Sequence, residues 1–451
     1  MVYIPHTDAD RAAMLAAIGV TRIEDLFDAI PSEQRFPNLN IPEAQSEMET
    51  AWQLQQLASA NAAGSHYALF LGAGAYNHYS PSVINHMLLR GEFYTAYTPY
   101  QPEISQGTLQ AIYEWQSMIA QLTGMDAANA SHYDGATSFA EAITVALTHF
   151  KGKRNKVIIS PNIHPQYRAV ARTYHQGNGT RFVGDKSGRA AMADLLDLLD
   201  DKTALFAVQY PNFFGQIEDL KGLAEKVHAA GALLCLIVNP IALGLLKAPG
   251  DLGADIVVGE GQSLGIPLSF GGPYLGFFAV SNELVRKIAG RIVGETIDSD
   301  GKRAFVMTLR PREQDIRREK ATSNICTNQG LMALAGCIYL TLMGKHGLKR
   351  VAEVCYHKAH YLAEKINKVE GYSVNVELPF FNEFVVTTPK SVKALNRFLY
   401  DEYEIIGGYD LAQDYPDRQN QMLIAVTEQN TRAEMEDLVK ALEAFAKRGA
   451  E

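Results

Sequence analysis

Three tyrosines, two prolines, three glutamines and two glutamates crowd the segment Glu92–Gln110, EFYTAYTPYQPEISQGTLQ. Pro99 and Pro102 hold the residues before them extended, so Tyr94, Tyr97 and Tyr100 stand on a stiff strap. The tyrosine hydroxyls, the Gln101 amide and the Glu103 carboxylate all need polar partners, which suits a pocket wall. A Pro-rich surface loop explains the same composition, and the residues alone leave both readings open. From Ser105, a suitable N-cap, a helix is predicted to run to Gly124 and to bury Leu109, Ile112, Ile119 and Leu122.

Other chemistry-bearing groups are more scattered. Arg310–Lys320 concentrates five basic residues, as a solvated helix face with Glu–Arg pairs would, or an anion or docking surface. His78 (in GAYNHYSP) and His164 (in PNIHPQY) lie in predicted loops. Their spacing makes no metal site, and a structural role suits both. Cys235, Cys326, Cys337 and Cys355 lack CxxC spacing and read as buried free thiols of a reducing cytoplasm.

The elements that must position these groups follow an alternating pattern. The first sixty residues read as helices, with Thr21–Glu24 and Ser46–Glu49 as capping boxes. A helix over 138–150 precedes a strand at Val157–Ser160. Strand Ala204–Gln209 precedes a helix over 218–229, followed by strands at Ala232–Val238, Asp255–Val258 and Leu275–Val280. Short apolar runs separated by helices imply an α/β fold with a mostly parallel sheet covered on both faces. Strands near Glu383–Thr388 and Met422–Thr427, with a last helix capped by Thr431 and Glu434, suit a smaller α+β domain.

Composition bounds the rest. The chain has 451 residues, 47% hydrophobic and 20% charged, enough for a large core and two domains of a soluble globule. A net charge of −9 argues against general affinity for nucleic acid. MVYIPHTDADRAAML has no basic stretch before an apolar one, unlike a secretory signal. The apolar window Gly231–Leu246 is interrupted by Asn239-Pro240 and falls short of the ~20 residues that cross a membrane.

The order of residues in EFYTAYTPYQPEISQGTLQ closely resembles the glycine cleavage system P-protein family, and in particular the first (alpha) chain of its split form. LNIPEAQSEME, FLGAGAYNHYSP, TGMDAANASHYDGAT and REQDIRREKATSNICTNQ read like the same family, so the resemblance covers most of the chain. It implies a fold-type I transferase dependent on pyridoxal phosphate (PLP). The expected layout is an N-terminal helical arm (1–62), a large α/β domain (63–325) and a small C-terminal α+β domain (326–451). It also implies an alpha2beta2 heterotetramer that decarboxylates glycine and passes the aminomethyl group to the lipoyl group of H-protein. No nucleic acid or membrane partner is implied, and the expected location is cytoplasmic.

PLP chemistry needs a lysine amine to hold the aldehyde and an acid on the pyridine nitrogen. In the family these groups follow successive strands. Here Asn239 stands where the coenzyme-binding chain has its aspartate, and Ser263, in Gln262-Ser263-Leu264, stands where it has its lysine. No lysine occurs between Ala248 and Arg286, so no covalent coenzyme is expected on this chain and the beta chain is expected to hold it. His132–Ser138 leads into a helix, and Gly135, Thr137 and Ser138 resemble a phosphate cradle; a relic turn capped by Asp134 or Ser138, with the pocket empty, is the favoured reading. By the resemblance, Tyr97, Tyr100 and Glu103 are expected to wall the pocket at the subunit junction, held by Thr98 and Gln101. Arg312, Arg317 and Arg318 match the family's basic segment, whereas Arg310-Pro311 and Asp315 depart from it. His164 is the expected counterpart of the histidine that covers the coenzyme ring. The expected role is a catalytically required subunit, inert alone; the alternative is a scaffold that only stabilises its partner.

Overall fold

The computed structural model describes residues 4–185, 190–376 and 378–448. The chain divides into two compact units, one ending at Ala62 and the other beginning at Ala63. In the first unit, the expected Ser46–Glu49 box opens the helix Glu47–Ser59. The Thr21–Glu24 box does not form. Asp25 instead accepts from the Arg22 N–H at 3.0 Å and the Thr21 hydroxyl at 3.2 Å, opening a short 3₁₀ turn, Ile23–Phe27. The Arg22 guanidinium also binds Asp25, at 2.8 Å, an ion pair that Glu24 does not make. Neither the helix Asp8–Ile18 nor Glu47–Ser59 buries a residue.

The second unit is built on a seven-stranded sheet: β1 (Ala127–Ala128), β2 (Lys156–Ile159), β3 (Arg181–Val183), β4 (Thr203–Tyr210), β5 (Leu233–Val238), β6 (Ile256–Glu260) and β7 (Gly276–Val280). The strand order is β1-β7-β6-β5-β4-β2-β3; β7 runs antiparallel to β6 and β1, and the other pairs are parallel. Alternate residues serve opposite faces. Phe206, Leu234, Leu236 and Val257 meet Trp115 and Ile119 of helix α1 (Gln106–Thr123) and Ala333 and Tyr339 near the start of a long helix, Gly330–Ile366. Leu205, Cys235, Ile237 and Val258 meet Phe139 and Ile143 of helix α2 (Gly135–His149). Covering both faces explains why β4 and β5 read as unbroken apolar runs.

The chain then forms a four-stranded antiparallel sheet that includes Glu383–Thr387 and Gln421–Ala425. The last helix, Arg432–Lys447, carries the Thr431–Glu434 box and buries Met435, Leu438, Leu442 and Phe445.

Several expectations need correction. The helix foreseen over 218–229 is only Leu223–Ala229, because Asp219 accepts from the Lys221 N–H in a turn and Gly222 takes φ 74°. The basic run is not one helix. It comprises three short turns, Arg310–Arg312, Gln314–Arg317 and Arg318–Lys320, with left-handed φ at Leu309 and Arg318. Cys326 is exposed, unlike the other three thiols. The helix Gly330–Ile366 is long and apolar enough to span a membrane, but it bends at Gly344 and packs its apolar side into the core.

Candidate functional site

The C-terminal ends of parallel strands are where α/β sheets build their sites. β5 ends at Val238 and β6 at Glu260, so Asn239 and Ser263 come together in the wall of one small cavity, with Tyr76, His164, Tyr167 and Glu260. Its volume is about 30 Å³, room for a water or two. Asn239 accepts the Ile241 N–H at 3.0 Å, closing a local turn. Gln262 is fully used: its carbonyl accepts from the Tyr76 N–H at 2.9 Å, and its amide donates to the Tyr76 and Ile266 carbonyls at 3.0 and 2.7 Å. Ser263 Oγ is buried and has no partner among the described residues.

The cradle residues Gly135, Thr137 and Ser138 do not line this cavity, and their donors are taken. Asp134 caps α2, accepting the Thr137 N–H at 2.7 Å, and the Ser138 hydroxyl donates to the Asp134 carbonyl at 2.7 Å. The Gly135 N–H donates to the Glu260 carboxylate at 3.0 Å. That carboxylate also accepts from the N–H groups of Gln262 and Leu275, each at 2.9 Å. Burial pushes the Glu260 carboxyl up, against the pull of its three N–H donors, which favour the ionised form. Tyr167 closes the remaining side: a Cβ added to Gly135 would overlap the Tyr167 hydroxyl.

Both histidines are bonded within the fold. His164 Nε2 lies 2.7 Å from the Ala73 carbonyl and must donate, while Nδ1 accepts the Gln166 N–H at 3.1 Å. Burial depresses its pKa, so the ring is neutral. His78 Nδ1 lies 2.7 Å from Glu428, and Cys355 Sγ lies 3.4 Å from the same oxygen. Burial works against the Glu428 carboxylate, but His78 and backbone N–H groups, Tyr79's among them, together outweigh it and hold the group at about 2. This trio has metal-ligand chemistry that the sequence spacing hides. Its members already bond one another, and Lys358 donates to the Glu428 carbonyl at 2.6 Å, a cation poorly placed beside a metal ion.

The strap is a different environment. Tyr97 is 73% and Tyr100 42% exposed, and Glu103 and Gln101 are also exposed. Thr98 and Gln101 support the strap only through their carbonyls, which accept the Tyr100 and Ile104 N–H groups. The side-chain grip comes from Arg291, buried to 6% exposure, which donates from Nη2 to the Tyr100 oxygen at 3.0 Å. Beneath the strap lies a cavity of about 260 Å³, walled by Tyr94, Tyr97, Thr98 and Thr108 on one side and by Asn328 and Gln329 on another. Two of the sequence motifs, far apart in the chain, therefore meet here.

Of the basic residues, Arg312 is anchored inward on the carbonyls of Ile288 and Gly290. Arg317 and Arg318 are exposed. Sequence reasoning missed Glu260, Tyr167 and Arg291. For Glu260 a signal existed, a carboxylate directly after an apolar strand; nothing local marks the other two.

The sheet order and the site at its strand ends define the PLP-dependent transferase fold of type I. Alanine–glyoxylate aminotransferase from Nostoc sp., at 17% identity and a TM-score of 0.57 over 93% of this chain and 100% of that one, shares the fold. The chain belongs to the glycine cleavage system P-protein family, whose pattern matches residues 1–442. It is 55% identical over 445 residues to the probable glycine dehydrogenase (decarboxylating) subunit 1 of Thermomicrobium roseum, covering 98% of this chain and 99% of that one. A solved glycine decarboxylase (P-protein) of the glycine cleavage system, in inhibitor-bound form, has a TM-score of 0.90 and 43% identity, covering 98% of this chain and 100% of that one. The pocket in this chain does not fit the coenzyme of its fold. Asn239 and Ser263 stand where the acid and the amine are expected, its cavity is far below the ~300 Å³ of ordinary ligand pockets, and its helix N-terminus is engaged by Glu260.

Proposed function

We propose that this chain is the alpha subunit of a glycine decarboxylase, with PLP held by a second, beta subunit in a cytoplasmic alpha2beta2 complex. In this reading the complex decarboxylates glycine and delivers the aminomethyl group to lipoylated H-protein, and the alpha chain completes the pocket from outside. The observation that carries the proposal is the contrast between its two cavities. The one at the strand ends is too small for a coenzyme, while the one under the tyrosine strap is about 260 Å³ with tyrosines exposed at its rim. The arm adds support: Ile18, Phe36, Ile41, Trp52 and Leu57 are all exposed, a greasy set that calls for a protein cover.

When bound on the beta chain, PLP supplies the electron sink for the carbanion left by CO2 loss. The alpha chain's own residues do simpler work. Tyr97, Tyr100 and Glu103 close over the substrate and exclude water. Because Arg291 occupies the Tyr100 oxygen as a donor, the phenolic proton is free to point outward and bond a substrate oxygen. Arg317 and Arg318, exposed on the basic turns, offer a surface to an acidic H-protein.

Expressing the chain alone and with a beta subunit, then measuring bound PLP and exchange of labelled CO2 into glycine, tests the reading. PLP and exchange are expected only in the pair. Coenzyme covalently bound to the lone chain, or exchange without the partner, would overturn it.

A further inference from the structure

The Glu260 carboxylate receives backbone N–H groups from three separate places: the first turn of α2 (Gly135), the loop after β6 (Gln262) and the residue before β7 (Leu275). Three donors converging on two oxygens is how proteins bind a free oxyanion. Here the anion is a side chain of the same polypeptide. Ser263, 2% exposed and with its Oγ unpartnered, opens onto the same cavity, an extra polar group that none of the described residues satisfies. Tyr167 packs its hydroxyl against Gly135 and keeps the space too small for a larger ligand.

We propose that Glu260 is a built-in ligand: its carboxylate occupies an oxyanion site and ties α2, β6 and β7 together as a bound anion would. The chemical class the site accepts is a small carboxylate. The inference concerns this chain by itself and does not depend on a partner or on activity.

Chemical rescue tests it. Glu260→Ala in the full-length chain leaves three buried N–H groups around a carboxylate-sized hole, which should lower Tm on the order of 5 °C. Sodium formate, compared with sodium chloride at equal ionic strength, should restore most of that loss in the variant and leave the wild-type Tm unmoved. If the variant does not fold in plain buffer, refolding from denaturant with and without formate is the readout, and recovery with formate alone is expected. A variant as stable as wild type, or one with no response to formate beyond that of wild type in either assay, would overturn the proposal.

Discussion

Arg291 donates from Nη2 to the Tyr100 hydroxyl oxygen at 3.0 Å, joining a buried guanidinium to a half-exposed phenol 191 positions earlier in the chain. Arg310 stands beside the same ring, 5.4 Å from its centroid. A guanidinium has no acceptor, so Tyr100 must accept, and its own proton stays available to another partner. The strap is thus a polarised element rather than a passive loop.

Tyr100→Phe keeps the ring and removes that proton. In the reconstituted complex it should lower glycine–CO2 exchange by roughly tenfold while subunit assembly, read by gel filtration, stays as in wild type. Unchanged exchange would remove Tyr100 from the pocket wall.

The pH dependence of stability has a definite sign. Burial raises Glu383 to about 7 from the ordinary 4.5. The group keeps its proton longer in the folded chain than in the unfolded one. Its contribution is therefore complete below about pH 4.5 and is lost progressively as pH rises to and through about 7. Glu383 is faced by Tyr76, whose hydroxyl donates to it at 2.7 Å. Glu383→Gln can keep the Ala73 bond through its carbonyl and donate to the Tyr76 oxygen. It should flatten the decline in Tm between about pH 4.5 and about pH 7, a span worth about 3 kcal/mol. A pH profile identical to wild type would show that Glu383 does not titrate there.

Gly135→Ala should destabilise, although alanine normally favours a helix. The new Cβ would overlap the Tyr167 hydroxyl and lie 2.7 Å from its Cζ and 2.9 Å from the Glu260 nitrogen. A loss of about 1–3 kcal/mol in urea unfolding is expected. Tyr167→Leu in the same background should recover part of it, and a neutral Gly135→Ala would mean the helix start is looser than described.

Ser263→Lys should not bring the coenzyme back. The amine would enter a cavity of about 30 Å³ with the cradle already filled. Incubation with PLP and borohydride should leave no pyridoxyl label on the substituted side chain, whereas a label at that position would show that the pocket opens readily.

What could be read from sequence was local. β5 and β6 were visible because parallel strands buried on both faces are apolar throughout, and the losses at Asn239 and Ser263 follow because each sits one to three residues beyond a strand. The Ser46–Glu49 and Thr431–Glu434 boxes close over three residues. The two-residue strand β1 carries no period to detect, and the helix expected over 218–229 lost its first turn to Gly222. Glu260 and Gly135 are 125 positions apart; only folding reveals that one is the other's ligand. Arg291 looks like any basic residue until folding brings the strap and Tyr100 to it.

The carboxylate at 260 also bears on how such a chain could change over generations. With its amide donors engaged internally, this end of the sheet is complete without an outside cofactor. A coenzyme entering there would have to displace a side chain of the same polypeptide, so a change at Asn239 or Ser263 alone would not make room for it.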